Sequence, residues 1–290
     1  MAAPKRVDEI FVDSYGVTIH YHRWSPRGKP RAMIQLAHGL GEHGLRYEGL
    51  VTRLVKEGFE VWANEHRGHG ATGLEQWEGD YSKLGKLGPG GIPAAVGAVR
   101  ACTDIIRGEP PGVPLYLLGH SAGAVVGQLI LNQRGATLFD GVIFTGAAYR
   151  MPGFMELGDL NAKHKHLGST GAEWLSRDVA VHEDWRDDPL TFPVNPLKQF
   201  GAVDAARFLG VPRRLERDIP FLLMIGSDCA LGGEKSAKKL ADAFLRKGSS
   251  DVELIVYEGA RHEVFNETNK DEVMDDLVIW IAGRLEASTP

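Results

Sequence analysis

Short apolar runs alternate along this chain with longer segments in which apolar residues recur every three or four positions. The short runs are rich in β-branched and aromatic residues, which favours strands, and the longer segments have the spacing of helices that pack on a sheet. This alternation predicts an α/β fold with a mostly parallel central sheet and helices on both faces. The predicted buried strands are 32–37, 60–64, 114–118, 142–145, 221–225 and 253–257, and the predicted helices are 45–56, 94–106, 122–132, 234–247 and 270–285.

Two segments of alternating polarity precede these strands. Residues 10–13 and 17–24 flank Ser14-Tyr15-Gly16, a sequence suited to a turn. The pattern predicts an antiparallel hairpin at the edge of the sheet. The complete sheet should therefore have about eight strands.

The alternation stops between Arg150 and about Arg217, where tryptophans, prolines and charges are scattered and no strand is evident. Apolar residues at 154–157 and 200–209 fit short helical segments. They predict a helical cap, inserted after the sixth strand and covering a pocket; the alternative is a surface excursion that packs on itself. We therefore expect a core of residues 1–149 and 218–290 that is interrupted by a cap at 150–217.

Composition narrows the possible partners and compartment. The 290 residues are 43% hydrophobic and carry a formal net charge of -5 with mixed signs, so no basic surface for nucleic acid is expected. The N-terminus has no apolar leader and no apolar run could span a bilayer, which favours a cytoplasmic protein; membrane contact should at most be weak and peripheral, through the cap. Cys102 and Cys229 are expected to be free thiols.

A strand, a tight turn and a helix follow one another at 115–132. The turn reads Gly-His-Ser-Ala-Gly, with Ser121 at its centre. Glycines two positions before and after the serine allow the strand and the helix to approach closely, and the strained turn lifts the hydroxyl clear of the sheet. This nucleophile elbow predicts that Ser121 attacks a carboxylic ester. The alternative is an ordinary turn serine.

A second loop follows the predicted strand 32–37 directly and begins His38-Gly39-Leu40. A nucleophile elbow needs an N–H donor from such a loop to bind the charge that develops on the substrate oxygen. We expect the main-chain N–H groups of Leu40 and Ala122 to form this oxyanion site. A His-Gly turn at a strand end can also be purely structural.

The general base should come last in the chain order serine, acid, histidine. Of the eleven histidines, only His262 follows the last predicted strand, in a loop before the C-terminal helix. We predict that His262 is the base; the alternative is a loop histidine that pairs with Glu263. Four other histidines are expected to order loops: His38, His43, His69 and His120.

Three motifs together resemble the monoglyceride lipase and lysophospholipase family of α/β-hydrolases. They are His-Gly-Leu-Gly-Glu-His at 38–43, Arg-Gly-His-Gly at 67–70 and Gly-His-Ser-Ala-Gly at 119–123. The resemblance covers nearly the whole chain and implies the α/β-hydrolase fold, a serine nucleophile with a histidine base and an aspartate, and a glycerol ester or similar lipid ester as substrate. The chain departs from the family pattern at Glu65, Thr72, Ala122 and Ala124, none of which removes a reacting group.

The triad acid is an open question at this stage. Asp228 lies just after the predicted strand 221–225, but an ungapped match to the family pattern places the family's aspartate at Cys229. Asp228 could serve after a one-residue shift of the loop, Cys229 could replace a native aspartate, naturally or by introduction, or the function could need no acid; an acid from another strand is a further alternative. Loss of the acid typically costs about 10⁴ in turnover.

The sequence thus predicts a serine hydrolase that acts on monoacylglycerol or similar lipid esters without a cofactor or metal. No metal-ligand cluster is evident, and the Gly-rich stretch at 88–91 lacks the features of a phosphate-binding loop. The expected partner is a small lipid or ester molecule. Alternatives are a carboxylesterase for small esters, an acyltransferase, a binding protein on a hydrolase scaffold and a protein that interacts through its cap. The sequence does not determine the oligomeric state.

Overall fold

A computed structural model describes residues 4–109 and 112–287 of the chain. In this part of the chain, eight strands form one sheet in the order β1-β2-β4-β3-β5-β6-β7-β8. The hairpin β1–β2 lies at one edge, β2 also pairs antiparallel with β4, and all other neighbours are parallel. The strands are β1 Arg6–Val12, β2 Thr18–Trp24, β3 Ala32–Ala37, β4 Phe59–Asn64, β5 Leu115–His120, β6 Gly141–Thr145, β7 Phe221–Gly226 and β8 Val252–Tyr257.

Helices cover both faces of the sheet, so the expected fold class is confirmed. Alternate side chains of β3 and β7 enter two separate hydrophobic clusters: Met33 and Leu223 face α3, α4 and α7, whereas Ile34 and Leu222 face α1 and α8. This is the period-two alternation of a strand that is buried on both sides. The helices are α1 Glu48–Lys56, α2 Gly70–Gln76, α3 Gly91–Arg107, α4 Ala122–Asn132, α5 Val179–Asp187, α6 Pro196–Ala206, α7 Gly233–Arg246 and α8 Lys270–Ala287.

The segment predicted to be a cap lies between β6 and β7 and contains α5 and α6. Asp178 and Asn195 begin these helices, because each side chain accepts a hydrogen bond from a main-chain N–H of the first turn. The prediction of a helical segment at 154–157 is wrong, since this stretch contains a turn and no helix. The helix expected at 200–209 begins earlier, at Pro196, and is kinked at Gly201.

Candidate active site

Ser121 occupies the sharp turn between β5 and α4. Its backbone has φ 51° and ψ -114°, a region that non-glycine residues rarely adopt. The Ser121 N–H donates to the carbonyl of Thr145 on the neighbouring strand β6 at 2.9 Å, which helps to hold the strained turn in place. Backbone strain of this kind persists where the surrounding structure imposes it, and it is frequent at reactive residues.

The two glycines of the turn permit the close contacts that the elbow requires. A Cβ atom on Gly123 would overlap the carbonyl oxygen of Ala37 in β3, and one on Gly119 would lie 2.8 Å from the carbonyl oxygen of Gly123. Ala122 is the first residue of α4, so its N–H belongs to the first helical turn, whose N–H groups have no acceptor within the helix. The helix dipole adds positive potential at the same place.

The loop after β3 is fixed by buried polar contacts. Glu42 accepts a hydrogen bond from the N–H of Gly39 at 2.5 Å and another from the Tyr47 hydroxyl at 2.7 Å. His38 accepts from the N–H of His66 through Nε2, at 3.0 Å, and its Nδ1 therefore donates to the Gly39 carbonyl, at 2.8 Å. These bonds hold the loop in one conformation that brings Leu40 next to Ser121, where both residues line the same cavity.

His262 lies in the loop between β8 and α8 and is buried. Its ring centroid is 4.7 Å from that of Trp174 and 4.7 Å from that of His120. Burial, together with the neighbouring His120, holds the pKa of His262 well below its usual range. Its Nε2 atom is buried and has no hydrogen-bond partner among the described residues, although Ser121 lines the same narrow slot. Hydrogen bonds between catalytic groups are often loose without substrate and tighten when it binds.

The side chain next to the other ring nitrogen of His262 is Cys229. Its Sγ lies 3.1 Å from Nδ1, and the main-chain N–H groups of Leu231, Gly232 and Gly233 are directed at the same sulfur. Such a set of N–H donors at the start of α7 is suited to an anion. Burial nevertheless raises the pKa of the Cys229 thiol, which therefore stays neutral near pH 7.

Asp228, one of the candidates for the acid, points away from His262. Its carboxylate binds Nζ of Lys163 and lies 2.8 Å from Nε2 of His164, both in the cap, and these contacts lower its pKa below the usual range despite partial burial. Asp228 and Cys229 lie in the turn that follows β7, and their side chains reach different partners. The His164 side chain is itself buried.

Two spaces meet at Ser121, and among the residues that the structure describes only Ser121 and Leu40 line both. The first is an apolar cavity of about 220 Å³, roofed by cap residues that include Leu160, Val194 and Phe208. The second is a slot of about 10 Å³ that contains His262.

Sequence reasoning gave no role to four of the residues around the slot: Glu42, Arg46, Trp174 and Trp185. Buried Glu263 pairs with Arg46, not with His262.

Comparisons with known proteins agree with this architecture. A family model described as serine aminopeptidase, S33, matches residues 28–269. The chain belongs to this family. The S33 chain is also 30% identical to a monoacylglycerol lipase of Mycolicibacterium smegmatis over 98% of its own length and 100% of the relative. It is 29% identical to the monoglyceride lipase of Homo sapiens, over 94% of its own length and 89% of the relative. It is therefore a monoglyceride lipase-like α/β-hydrolase, as the motif resemblance implied.

Solved structures share the fold of this S33 hydrolase. A thermostable carboxyl esterase from Bacillus coagulans, in complex with glycerol, superimposes with a TM-score of 0.80 at 22% identity, covering 97% of this chain and 99% of the other. A soluble variant of monoglyceride lipase from Saccharomyces cerevisiae, in complex with a substrate analog, gives a TM-score of 0.72 at 20% identity, with coverages of 98% and 96%. In the described part of the chain, no helix is long and apolar enough to cross a membrane.

Proposed function

We propose that this chain is a carboxylic ester hydrolase that cleaves single-chain lipid esters, the class to which monoacylglycerols belong, through an acyl-enzyme on Ser121. The observation that carries the proposal is the strained Ser121 at the end of β5, which faces an apolar cavity on one side and shares a slot with buried His262 on the other. The monoacylglycerol and monoglyceride lipases among its relatives support this substrate class.

The reaction uses side chains and main-chain groups of the protein alone. Nε2 of His262 accepts the proton of the Ser121 hydroxyl while Oγ attacks the ester carbonyl, and the N–H groups of Leu40 and Ala122 bind the resulting oxyanion. The C–O bond to the alcohol then breaks as His262 returns the proton to the leaving oxygen. Water repeats the sequence on the acyl-enzyme, releases the fatty acid and restores Ser121.

Cys229 is a positioning residue in this scheme. For Nε2 to accept a proton from Ser121, Nδ1 must carry the other ring proton and donate it to the sulfur at 3.1 Å. A thiol that donated to Nδ1 would place the ring proton on Nε2 and prevent base catalysis. The neutral thiol thus permits the active tautomer, but it gives the imidazolium formed during attack less stabilisation than a carboxylate would.

The apolar cavity suits the acyl chain. It is lined by Ser121 and the proposed oxyanion residues Leu40 and Ala122, and it extends below the cap past Val125 and Leu209. An acyl group bound there would have its carbonyl next to both N–H donors and its hydrocarbon chain away from water.

A fluorophosphonate probe tests the proposal, because it labels only a serine that a neighbouring base activates. The wild-type chain should be labelled and should hydrolyse 4-nitrophenyl dodecanoate. Ser121→Ala should lose both labelling and hydrolysis. Ser82→Ala changes an exposed serine that lines neither space at Ser121, and it should retain both. A wild-type chain that binds a dodecanoyl ester without labelling or hydrolysis would instead favour a binding protein, the alternative that the thiol at Cys229 supports.

A further inference from the structure

The apolar cavity at Ser121 is about twentyfold larger than the slot. The proton transfers of the proposed reaction determine which part of the substrate each of them holds. The leaving oxygen must receive its proton from Nε2 of His262, so the alcohol has to lie on the side that contains His262. That side is the slot of about 10 Å³. The acyl chain occupies the cavity of about 220 Å³, which His262 does not line.

The slot has room for about one water molecule. Its outer wall consists of Trp174 and Trp185, which are both buried and which pack together in a small hydrophobic cluster with Leu175. The slot can therefore hold the water that attacks the acyl-enzyme. A three-carbon polyol would extend beyond the slot, and it would fit inside only if the wall moved.

The wall is bonded to the loop that carries the base. The guanidinium of Arg261 donates to the carbonyls of Glu173 and Ser176 at 2.5 and 2.7 Å, and the N–H of Glu263 donates to the carbonyl of Leu175 at 2.7 Å. Moving Trp174 outward would break these bonds next to His262. Accommodation of a bulky alcohol therefore disturbs the base itself.

The charged groups of the slot offer little to a polyol. The oxygens of Glu42 already accept from Gly39, Tyr47 and Arg46, and both oxygens of Glu263 accept from Arg46. A glycerol hydroxyl would have to share oxygens that already accept hydrogen bonds from the protein, which limits the net gain. The polarity of the slot thus serves mainly its own folding.

We infer that this hydrolase, on the basis of the function proposed above, prefers acyl esters of alcohols smaller than glycerol, of methyl or ethyl size, and that Trp185 sets this preference. Trp185 is the residue to change, since Trp174 contacts the His262 ring, whereas Trp185 also lines the slot and packs with Trp174. Within the class of single-chain lipid esters, the monoacylglycerols are then the slower substrates.

The test compares kcat/KM for methyl dodecanoate, ethyl dodecanoate and 1-monododecanoylglycerol, which share one acyl chain. We expect wild type to favour the methyl ester over the glycerol ester by at least about tenfold, the scale of discrimination by steric fit in a pocket. Trp185→Ala should reduce that ratio about tenfold, and Trp185→Phe, a milder change to the same wall, should reduce it less. Leu209→Ala, a matched truncation in the acyl cavity, should leave the ratio unchanged.

A wild-type preference for the glycerol ester at equal acyl length would overturn this inference while leaving the proposed hydrolase function intact. An unchanged ratio in both folded Trp185 variants would show that Trp185 does not set the preference, and it would overturn that part of the proposal. Failure of the wild-type chain to label with the fluorophosphonate or to cleave any of the three esters would instead refute the proposed function.

Discussion

The Sγ atom of Cys229 lies 3.1 Å from Nδ1 of His262, in the place where a serine hydrolase of this fold requires an anion. The surrounding N–H groups of Leu231, Gly232 and Gly233 are arranged as if for a carboxylate. Because burial raises the pKa of this thiol and keeps it neutral, the imidazolium of the proposed mechanism lacks a counter-charge. The main chain around position 229 is therefore suited to a carboxylate, whereas the thiol that stands there performs only part of the acid's role.

Cys229→Asp should raise turnover of 4-nitrophenyl dodecanoate by orders of magnitude, up to about 10⁴, since it supplies the missing charge. It should also raise the pKa of His262, which burial now holds well below its usual range. The acidic limb of the profile of kcat/KM against pH should consequently move to higher pH. Steady-state kinetics between pH 4 and 9 measure both effects.

Cys229→Ser is the matched control for that change, because a hydroxyl can accept from Nδ1 but stays neutral. Its turnover should remain within about tenfold of wild type, far from the gain expected of the aspartate. An aspartate variant that folds but shows neither faster turnover nor a displaced acidic limb would contradict the role assigned to Cys229.

Asp228→Asn should change turnover by less than about tenfold, against the roughly 10⁴ expected for loss of a triad acid. The reason is that Asp228 binds Lys163 and His164 in the cap instead of His262. Kinetics with the same ester, together with a thermal unfolding curve to confirm folding, provide the measurement. A loss near the larger figure would show that Asp228 turns toward His262 in the working enzyme.

Buried histidines should make the fold sensitive to acid. Burial lowers the pKa of His66 to about 4, below the value of about 6.5 in an unfolded chain. Between these two values the unfolded chain binds a proton that the folded chain does not, so this contribution to stability is full above pH 6.5 and is lost as pH falls. His66→Gln should reduce the slope of unfolding free energy against pH by up to about 1.4 kcal/mol per unit in this window.

Urea unfolding at several pH values between 4.5 and 7 gives that slope. His166→Gln, which changes an exposed cap histidine, should leave it as in wild type. Equal slopes in wild type and a folded His66 variant would mean that His66 binds protons equally in the folded and unfolded states, which would contradict the lowered pKa.

Gly123→Ala should destabilise the fold by about 1–3 kcal/mol and impair the elbow, because the new Cβ overlaps the carbonyl of Ala37 and neither backbone can yield easily. Gly97→Ala provides a matched control in helix α3, where a Cβ meets nothing within 4 Å. That change should stabilise the chain by up to about 1 kcal/mol through helix propensity. Denaturant midpoints measure the stability of both variants. A Gly123→Ala variant as stable as wild type would contradict the close approach of α4 to β3.

The centre of the sheet could be predicted because strands β3 to β7 are buried on both sides and bounded by turn residues. Strand β3 and helix α4 have the predicted bounds, 32–37 and 122–132. Helix α2 was missed because its seven residues contain two glycines and show no clear apolar stripe. Helix α5 was also missed, since it lies in the cap and buries only His182 and Trp185.

The orientation of the acid loop could not be predicted from the sequence. Asp228 and Cys229 are neighbours after β7, and which one faces His262 depends on where the chain leaves the strand. The structure answers this with the turn from Gly226 to Cys229, closed by a hydrogen bond of 3.1 Å from the Cys229 N–H. The slot could not be predicted from the sequence either, because the fold of the predicted cap is what brings Trp174 and Trp185 close to His262.

The predicted cap lies between β6 and β7, which are adjacent and parallel. It leaves the sheet at the carboxyl end of β6 and returns at the opposite end of β7, so it also serves as the crossover that every parallel pair requires. A shortened chain cannot simply omit it. Replacement by a single helix of about a dozen residues would keep the strand order and remove the roof from Ser121, which makes the cap an exchangeable module with a defined minimum length.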